Sequence, residues 1–176
     1  MDTKELPAAR RRAIVFGEVA AYDHELDAVA EVRTAIESAR FDVIYPAIEA
    51  HSGQLARWIV DSVPIEFPSA QCAVLFAYAA QEQLGQTPLR WRFGIDYGEV
   101  SGVGEETAGE ALRIASGLTD FARPGEIVVT STVFDRMPRG GGIQFDALGI
   151  NQSVRITESI HLYEVRLELP DGYFIS

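Results

Sequence analysis

The sequence predicts an α+β fold in which helices pack on a mainly antiparallel sheet. Short apolar runs rich in β-branched residues alternate with longer segments of helical periodicity. The predicted elements follow in the order βααββαβ, a ferredoxin-like core, with αβββ added after it. With 176 residues and no sign of a repeat or linker, we place one domain over 12–168. A flexible N-terminal segment over 1–11 and a C-terminal tail over 169–176 complete the chain.

The first half of the chain is predicted to form one strand, a long helical region, a hairpin and a second helix. The run "RRAIVFGEV" is apolar and too short for a helix, so it predicts a strand over 11–19. Helical periodicity begins near Asp23, is interrupted near Phe41 and Pro46, and stops at "HSG". Strands over 54–59 and 63–67 meet at Asp61-Ser62, the spacing of a tight hairpin. A helix then runs from "PS" to position 84, before Gly85.

The second half is predicted to be strand-rich. "LRWRFGIDYG" alternates as a strand over 89–98, and a helix over 110–121 ends at "RPG". "EIVVT" over 126–130 is a short buried strand, followed by one or two helical turns over 131–137. Antiparallel strands over 143–149 and 159–169 close the domain.

Composition excludes several kinds of function. The formal net charge of −11 argues against a nucleic-acid or membrane-surface role, since both surfaces are polyanionic. Fourteen of the 15 cations are arginine, and Lys4 lies outside the predicted domain, so no folded lysine serves Schiff-base or phosphate-loop chemistry. Cys72 is expected in a buried helix, and His24, His51 and His161 are too far apart for a helical metal pair. Without an apolar span or cleavage site, we expect a cytoplasmic protein.

Six segments in order resemble one family. They are "FGEVAAY", "HSGQLARWIVDSVPIEFPSAQCAV", "RFGIDYGEVSGVG", "AGEALRIASGL", "ARPGEIVVTSTVFD" and "HLYEV". Together they resemble the catalytic domain of class III nucleotidyl (adenylate/guanylate) cyclases, from about Arg12 to Val165. The resemblance implies a dimer of such domains with active sites at the interface, and two divalent metals, Mg or Mn, that activate the ribose hydroxyl and bind the triphosphate.

The resemblance also assigns residues to the site. Glu18 and Asp61 fall on the two metal positions, and Arg57 and Glu106 on the positions that read the nucleotide base. Arg113 stands where the family has an asparagine that orients the ribose. On the same helix, Gly117 stands where the family has a transition-state arginine, so that function is lost.

These departures predict impaired catalysis. Glu18 is one methylene longer than the family aspartate, and Val60 and Ser62 replace hairpin glycines where φ > 0 is expected. Ala21 and Asp23 change the loop that cradles phosphates, and only an arginine, Arg155, stands near the position of a late phosphate-binding lysine. Losing a single preorganised donor costs ~10²–10³ in rate.

The sequence therefore predicts a degenerate cyclase that acts in signalling through dimerisation, or through binding of ATP, GTP or a protein partner. Its partner is expected to be a second copy or an active cyclase. A divergent active adenylate cyclase and a sensor of another small molecule remain alternatives. A simpler interpretation of the residues also stays open: Glu18 as a solvated strand-end acid, Asp61 as a turn former, Arg57 and Glu106 as a surface ion pair. Arg113 could also replace the missing cation from one turn away.

Overall fold

The computed structural model describes residues 8–23, 26, 28–153 and 155–167. The strands are β1 (Arg10–Tyr22), β2 (Gln54–Leu55), β3 (Ser62–Phe67), β4 (Leu89–Val100), β5 (Ile127–Thr130), β6 (Ile143–Asn151) and β7 (Ile160–Leu167). The helices are α1 (Val29–Ala39), α2 (Tyr45–Ala50), α3 (Ala70–Leu84), α4 (Glu110–Leu118) and α5 (Ser131–Phe134). A π-helical turn, Arg40–Ile44, joins α1 to α2, and a 3₁₀ turn, Gly104–Glu106, precedes α4.

All seven strands form one sheet in the order β2-β3-β1-β4-β5-β7-β6. Every neighbouring pair is antiparallel except β4 and β5, which are joined through α4 and run parallel. The predicted α+β class and the mainly antiparallel sheet are confirmed. The long strand β1 lies at its centre and pairs with both β3 and β4.

Helices cover both faces of the sheet, because side chains alternate along each strand. On β1, Ala13 and Val15 pack into the larger core with α2 and α3. Ile14, between them, packs on the other face with Ala111 and Ala115 of α4. Gly94 on β4 allows this helix to approach closely, since a Cβ there would lie 2.3 Å from the Ala115 carbonyl oxygen. The helix that carries two of the predicted site residues is thereby fixed against the central strands.

The helical interruption near Phe41 and Pro46 is the π-helical turn followed by the start of α2. Helix α3 begins as predicted, with the Ser69 hydroxyl accepting a bond of 3.1 Å from the Cys72 amide, an N-cap. Cys72 lies on this helix as predicted but is half-buried rather than buried. No helix in the described ranges is long and apolar enough to cross a membrane.

The hairpin differs from its prediction. The turn residues are Val60 and Asp61, not Asp61 and Ser62, because Ile59 and Ser62 form the closing bridge. The strand predicted over 54–59 reduces to Gln54–Leu55. The next position, Ala56, donates to the Pro64 carbonyl at 3.1 Å, but proline has no N–H to donate in return, so the ladder ends there.

The remaining boundaries shift by a few residues. Helix α4 ends three residues before its predicted end, at Leu118, and α5 stops at Phe134. Strand β1 begins at Arg10, before the predicted domain boundary at Arg12. The N-terminal stretch 1–7, the C-terminal tail and His24 lie outside the described residues.

Candidate functional site

Helix α4 is covered by residues 155–158 of the β6–β7 connection. Ile156 is fully buried and packs with Ile114 and Leu118 of α4 and with Leu162 of β7. Gly117 makes this contact possible: a Cβ there would lie 2.6 Å from Ile156 Cγ1. The space into which any side chain at position 117 would project is therefore filled.

Two ion pairs hold the same segment against the helix. Arg113 binds Glu158 through both guanidinium ends, at 2.5 and 3.3 Å, and donates to the Arg155 carbonyl at 3.1 Å. Arg155 in turn binds Asp120 just beyond α4, with a shortest contact of 2.5 Å. Hydrogen bonding from these arginines lowers the pKa of Glu158 and of Asp120. Both pairs are partly exposed, so they orient the segment more than they stabilise the fold.

Glu18 is paired with an arginine. It lies opposite Arg92 in the β1–β4 register, and its Oε1 accepts from Arg92 Nε at 2.8 Å and Nη2 at 2.6 Å. The hydrogen bond to Asp120 raises the pKa of Arg155, and the charge of Glu18 adds a smaller contribution. The pKa of Asp120 is lowered mainly by Arg155 and, to a smaller extent, by the charge of Arg92. Two acids and two arginines therefore form one balanced ionic cluster beside the end of α4.

Asp61 is exposed at the tip of the hairpin. Its backbone carbonyl accepts from the Val19 amide at 2.9 Å, so the turn is attached to β1 one residue beyond Glu18. The turn conformation requires φ of +43° at Val60, a value that disfavours a β-branched side chain. The backbone thus places the turn that carries Asp61 beside the strand that carries Glu18, and the first residue of that turn is strained.

Arg57 binds the turn that carries Glu106. Arg57 Nη1 donates to the carbonyls of Glu105, at 3.2 Å, and of Thr107, at 3.0 Å. These two carbonyls flank Glu106 on the 3₁₀ turn. The hairpin and the turn before α4 are thereby linked.

The fold matches solved cyclase structures over nearly its whole length. It is similar to an adenylate/guanylate cyclase/hydrolase from Silicibacter pomeroyi, with a TM-score of 0.76 and 25% identity over 89% of this chain and 96% of that one. The adenylyl cyclase CyaB from P. aeruginosa matches with a TM-score of 0.74 and 17% identity, over 93% of this chain and 100% of that one. The guanylate cyclase domain of RhGC from Catenaria anguillulae matches with a TM-score of 0.78 and 14% identity, over 91% of this chain and 98% of that one.

The chain has the class III nucleotidyl cyclase fold. The resemblance predicted from the sequence motifs is confirmed. A protein of Rhizobium meliloti (strain 1021) named "Putative adenylate cyclase 3" is 21% identical over 91% of this chain. The chain spans 29% of the length of that relative. No protein-family profile matches the sequence.

The two acids that the resemblance assigns to metals differ from a free pair of carboxylates. Two guanidinium nitrogens of Arg92 bind one carboxylate oxygen of Glu18, so a metal ion at that oxygen would compete with Arg92. Asp61 stands exposed on a strained turn. Across the described ranges, no group of three or more histidines, cysteines, aspartates or glutamates could hold a metal ion.

One unusual acid escaped the sequence analysis. Asp96 lies in the middle of β4 and is only 4% exposed. Its Oδ1 accepts from the hydroxyls of Thr130, at 2.6 Å, and Thr132, at 2.9 Å. Burial raises its pKa to about 6, against these hydrogen bonds. The available signal was an acid inside the otherwise apolar alternation of "RWRFGIDYG".

Proposed function

We propose that this protein is a class III adenylate/guanylate cyclase homologue with impaired or absent catalysis. The observation that carries the proposal is the filled position at Gly117. The family arginine assigned to that position stabilises charge in the transition state, and Ile156 leaves no space for a replacement. The absence of one such preorganised donor costs ~10²–10³ in rate.

The neighbouring arginines are not free to replace the missing transition-state arginine. Arg113 is bound to Glu158 and to a backbone carbonyl, and Arg155 is bound to Asp120. Either one would have to leave its carboxylate to reach a phosphate group. Glu18 is neutralised by Arg92, which also argues against the Mg or Mn pair that the resemblance implies.

We propose that the domain acts in signalling as a pseudoenzyme, by dimerising and by binding a nucleotide or a protein partner. The resemblance implies a homodimer or a heterodimer of such domains. We propose a second copy or an active cyclase as the partner and the cytoplasm as the location. The complete sheet and the packing of α4 on its central strands support dimerisation, because the fold on which the family dimer is built is present. The link between Arg57 and the Glu106 turn supports a retained base-reading half.

Calorimetric titration with non-hydrolysable ATP and GTP analogues, with and without Mn²⁺, tests binding, and light scattering of the same sample tests dimerisation. We expect a dimer and binding that does not depend on Mn²⁺ and weakens in Arg57→Ala. Glu49→Ala, a change at an exposed helix position, serves as the control. A monomer that binds neither nucleotide nor an active cyclase would contradict the proposal.

A divergent active adenylate cyclase, converting ATP to cAMP and diphosphate, is the second candidate. It is favoured by the β1 contact that holds Asp61 next to Glu18. Its test is turnover of ATP with Mn²⁺ that disappears in Asp61→Ala and survives in Glu49→Ala. That outcome would replace the first proposal.

A further inference from the structure

We propose that a cavity between α4, the end of β4 and the start of β7 binds a small organic cation of the primary-amine class, anchored by Asp96. The cavity has a volume of about 370 Å³. This inference is independent of the proposed function, since none of the residues that the resemblance assigns to the nucleotide or the metals lines the cavity.

The anchoring carboxylate is built into the floor of the cavity. Asp96 is 96% buried, and the hydroxyls of Thr130 and Thr132 both donate to its Oδ1 and so orient it. No basic side chain in the described part of the chain lies within salt-bridge distance of Asp96. A buried carboxylate without a counter-ion is costly, and a cationic ligand would offset that cost.

The charges around the cavity favour a positive ligand. Three acids line the cavity: Asp96 and Glu99 of β4 and Glu110 of α4. The basic groups that line it are Arg11 of β1 and His161 of β7. Arg11 stacks over the Tyr97 ring, 5.5 Å from its centroid, rather than pairing with Asp96. The charge of Glu110 adds to burial in raising the pKa of Asp96.

Arg113, on the next turn of α4, also feels the charge of Asp96. Its guanidinium is committed to Glu158 at 2.5 Å and lies 3.6 Å from Glu110. Asp96 therefore lacks a direct cationic partner, although Arg113 is near enough to interact with its charge.

The geometry suits an ammonium group better than a metal ion. No set of three or more potential metal-ligating side chains converges in the described ranges, so a metal would lack ligands here. An ammonium group has three donors and can bond Asp96 and nearby hydroxyl oxygens such as Ser131. Ile114 and Ile160 line the same cavity and offer apolar contact for a short alkyl chain.

The test is a titration of the full chain with 1-aminobutane, using 1-butanol as the neutral isostere and KCl to match ionic strength. We expect saturable binding of the amine alone, by calorimetry and by shifts of the Ile114 and Ile160 methyl signals in NMR spectra. Asp96→Asn should weaken binding about tenfold or more, the cost of losing a charge-assisted hydrogen bond. Asp146→Asn, which removes one negative charge from a distant surface pair with Arg166, should bind as the wild type does.

Unchanged affinity in Asp96→Asn, equal binding of 1-butanol, or equal methyl shifts with KCl would overturn the proposal. If Asp96→Asn does not fold, the wild-type methyl titration decides alone, because a ligand in this cavity must shift both isoleucine signals. Absence of those shifts at saturating amine would overturn the proposal without any variant.

Discussion

Replacing Gly117 with alanine tests whether the α4 surface is filled as the structure has it. The new Cβ would lie 2.6 Å from Ile156 Cγ1 and 3.2 Å from Arg155 Cβ, while ordinary contact begins at 3.4 Å. Overpacking of this kind costs about 1–3 kcal/mol. Glycine to alanine inside a helix otherwise gains about 1 kcal/mol. We expect a net loss of about 1 kcal/mol in the free energy of unfolding.

The effect of Gly117→Ala on the free energy of unfolding should change sign when Ile156 is truncated. Ile156→Ala alone removes a fully buried side chain and should cost about 2–5 kcal/mol. In that background the clash with Cγ1 is gone, so Gly117→Ala should stabilise the protein by about 1 kcal/mol. The coupling between the two positions would then be about 2 kcal/mol, a value typical of residues in contact.

Urea denaturation followed by circular dichroism measures all four members of this cycle. Ser116→Ala, on the neighbouring position of α4, is the control: its effect should be the same with and without Ile156. Equal effects of Gly117→Ala in the two backgrounds would refute the packing argument. A side chain at this position could then be accommodated, and the claim that Ile156 fills the space beside Gly117 would be removed.

Three further predictions follow from buried charge, ion pairing and backbone strain. The folded pKa of Asp96 is raised to about 6 from 3.8, so its contribution to stability is lost as pH rises through that window. Between pH 4 and pH 8, the free energy of unfolding measured in urea should fall by about 2 kcal/mol more in wild type than in Asp96→Asn. Arg92→Met should release Glu18, so Mn²⁺ should raise the melting temperature of this variant but not of the wild type. Equal changes in melting temperature for the two proteins would contradict the ionic cluster. Val60→Gly should raise the free energy of unfolding by up to about 1 kcal/mol, because glycine tolerates the positive φ at this position. Val103→Gly, at an exposed valine with φ of −136°, should lower it. A change of the same sign in both variants would contradict the strain at Val60.

The fold could be predicted because its elements follow from local patterns. The alternation around β1 and the cap at Ser69 depend on neighbouring residues, and the structure has both. The turn was displaced by one residue because the closing bridge is formed between Ile59 and Ser62, and Pro64 then shortens β2. Such shifts depend on strand register, which local propensity does not determine.

Much of the candidate site depends on contacts between distant residues. Glu18 and Arg92 are separated by 74 positions, so the sequence named the acid without its partner. Gly117 was interpreted as a lost arginine, but the fold adds that Ile156 occupies the space. Asp96 was missed because only the packing of α4 and β5 against β4 shows how deeply it is buried.

The most direct test of the central claim is cyclase turnover by the purified protein, with ATP and GTP, Mn²⁺ and mass-spectrometric detection of cyclic nucleotides. An active class III cyclase run beside it establishes the sensitivity of the assay. We predict no cAMP or cGMP above the level of Asp61→Ala, with and without an added active cyclase as partner. Product that forms with the protein alone and disappears in Asp61→Ala would contradict the account and identify a working enzyme.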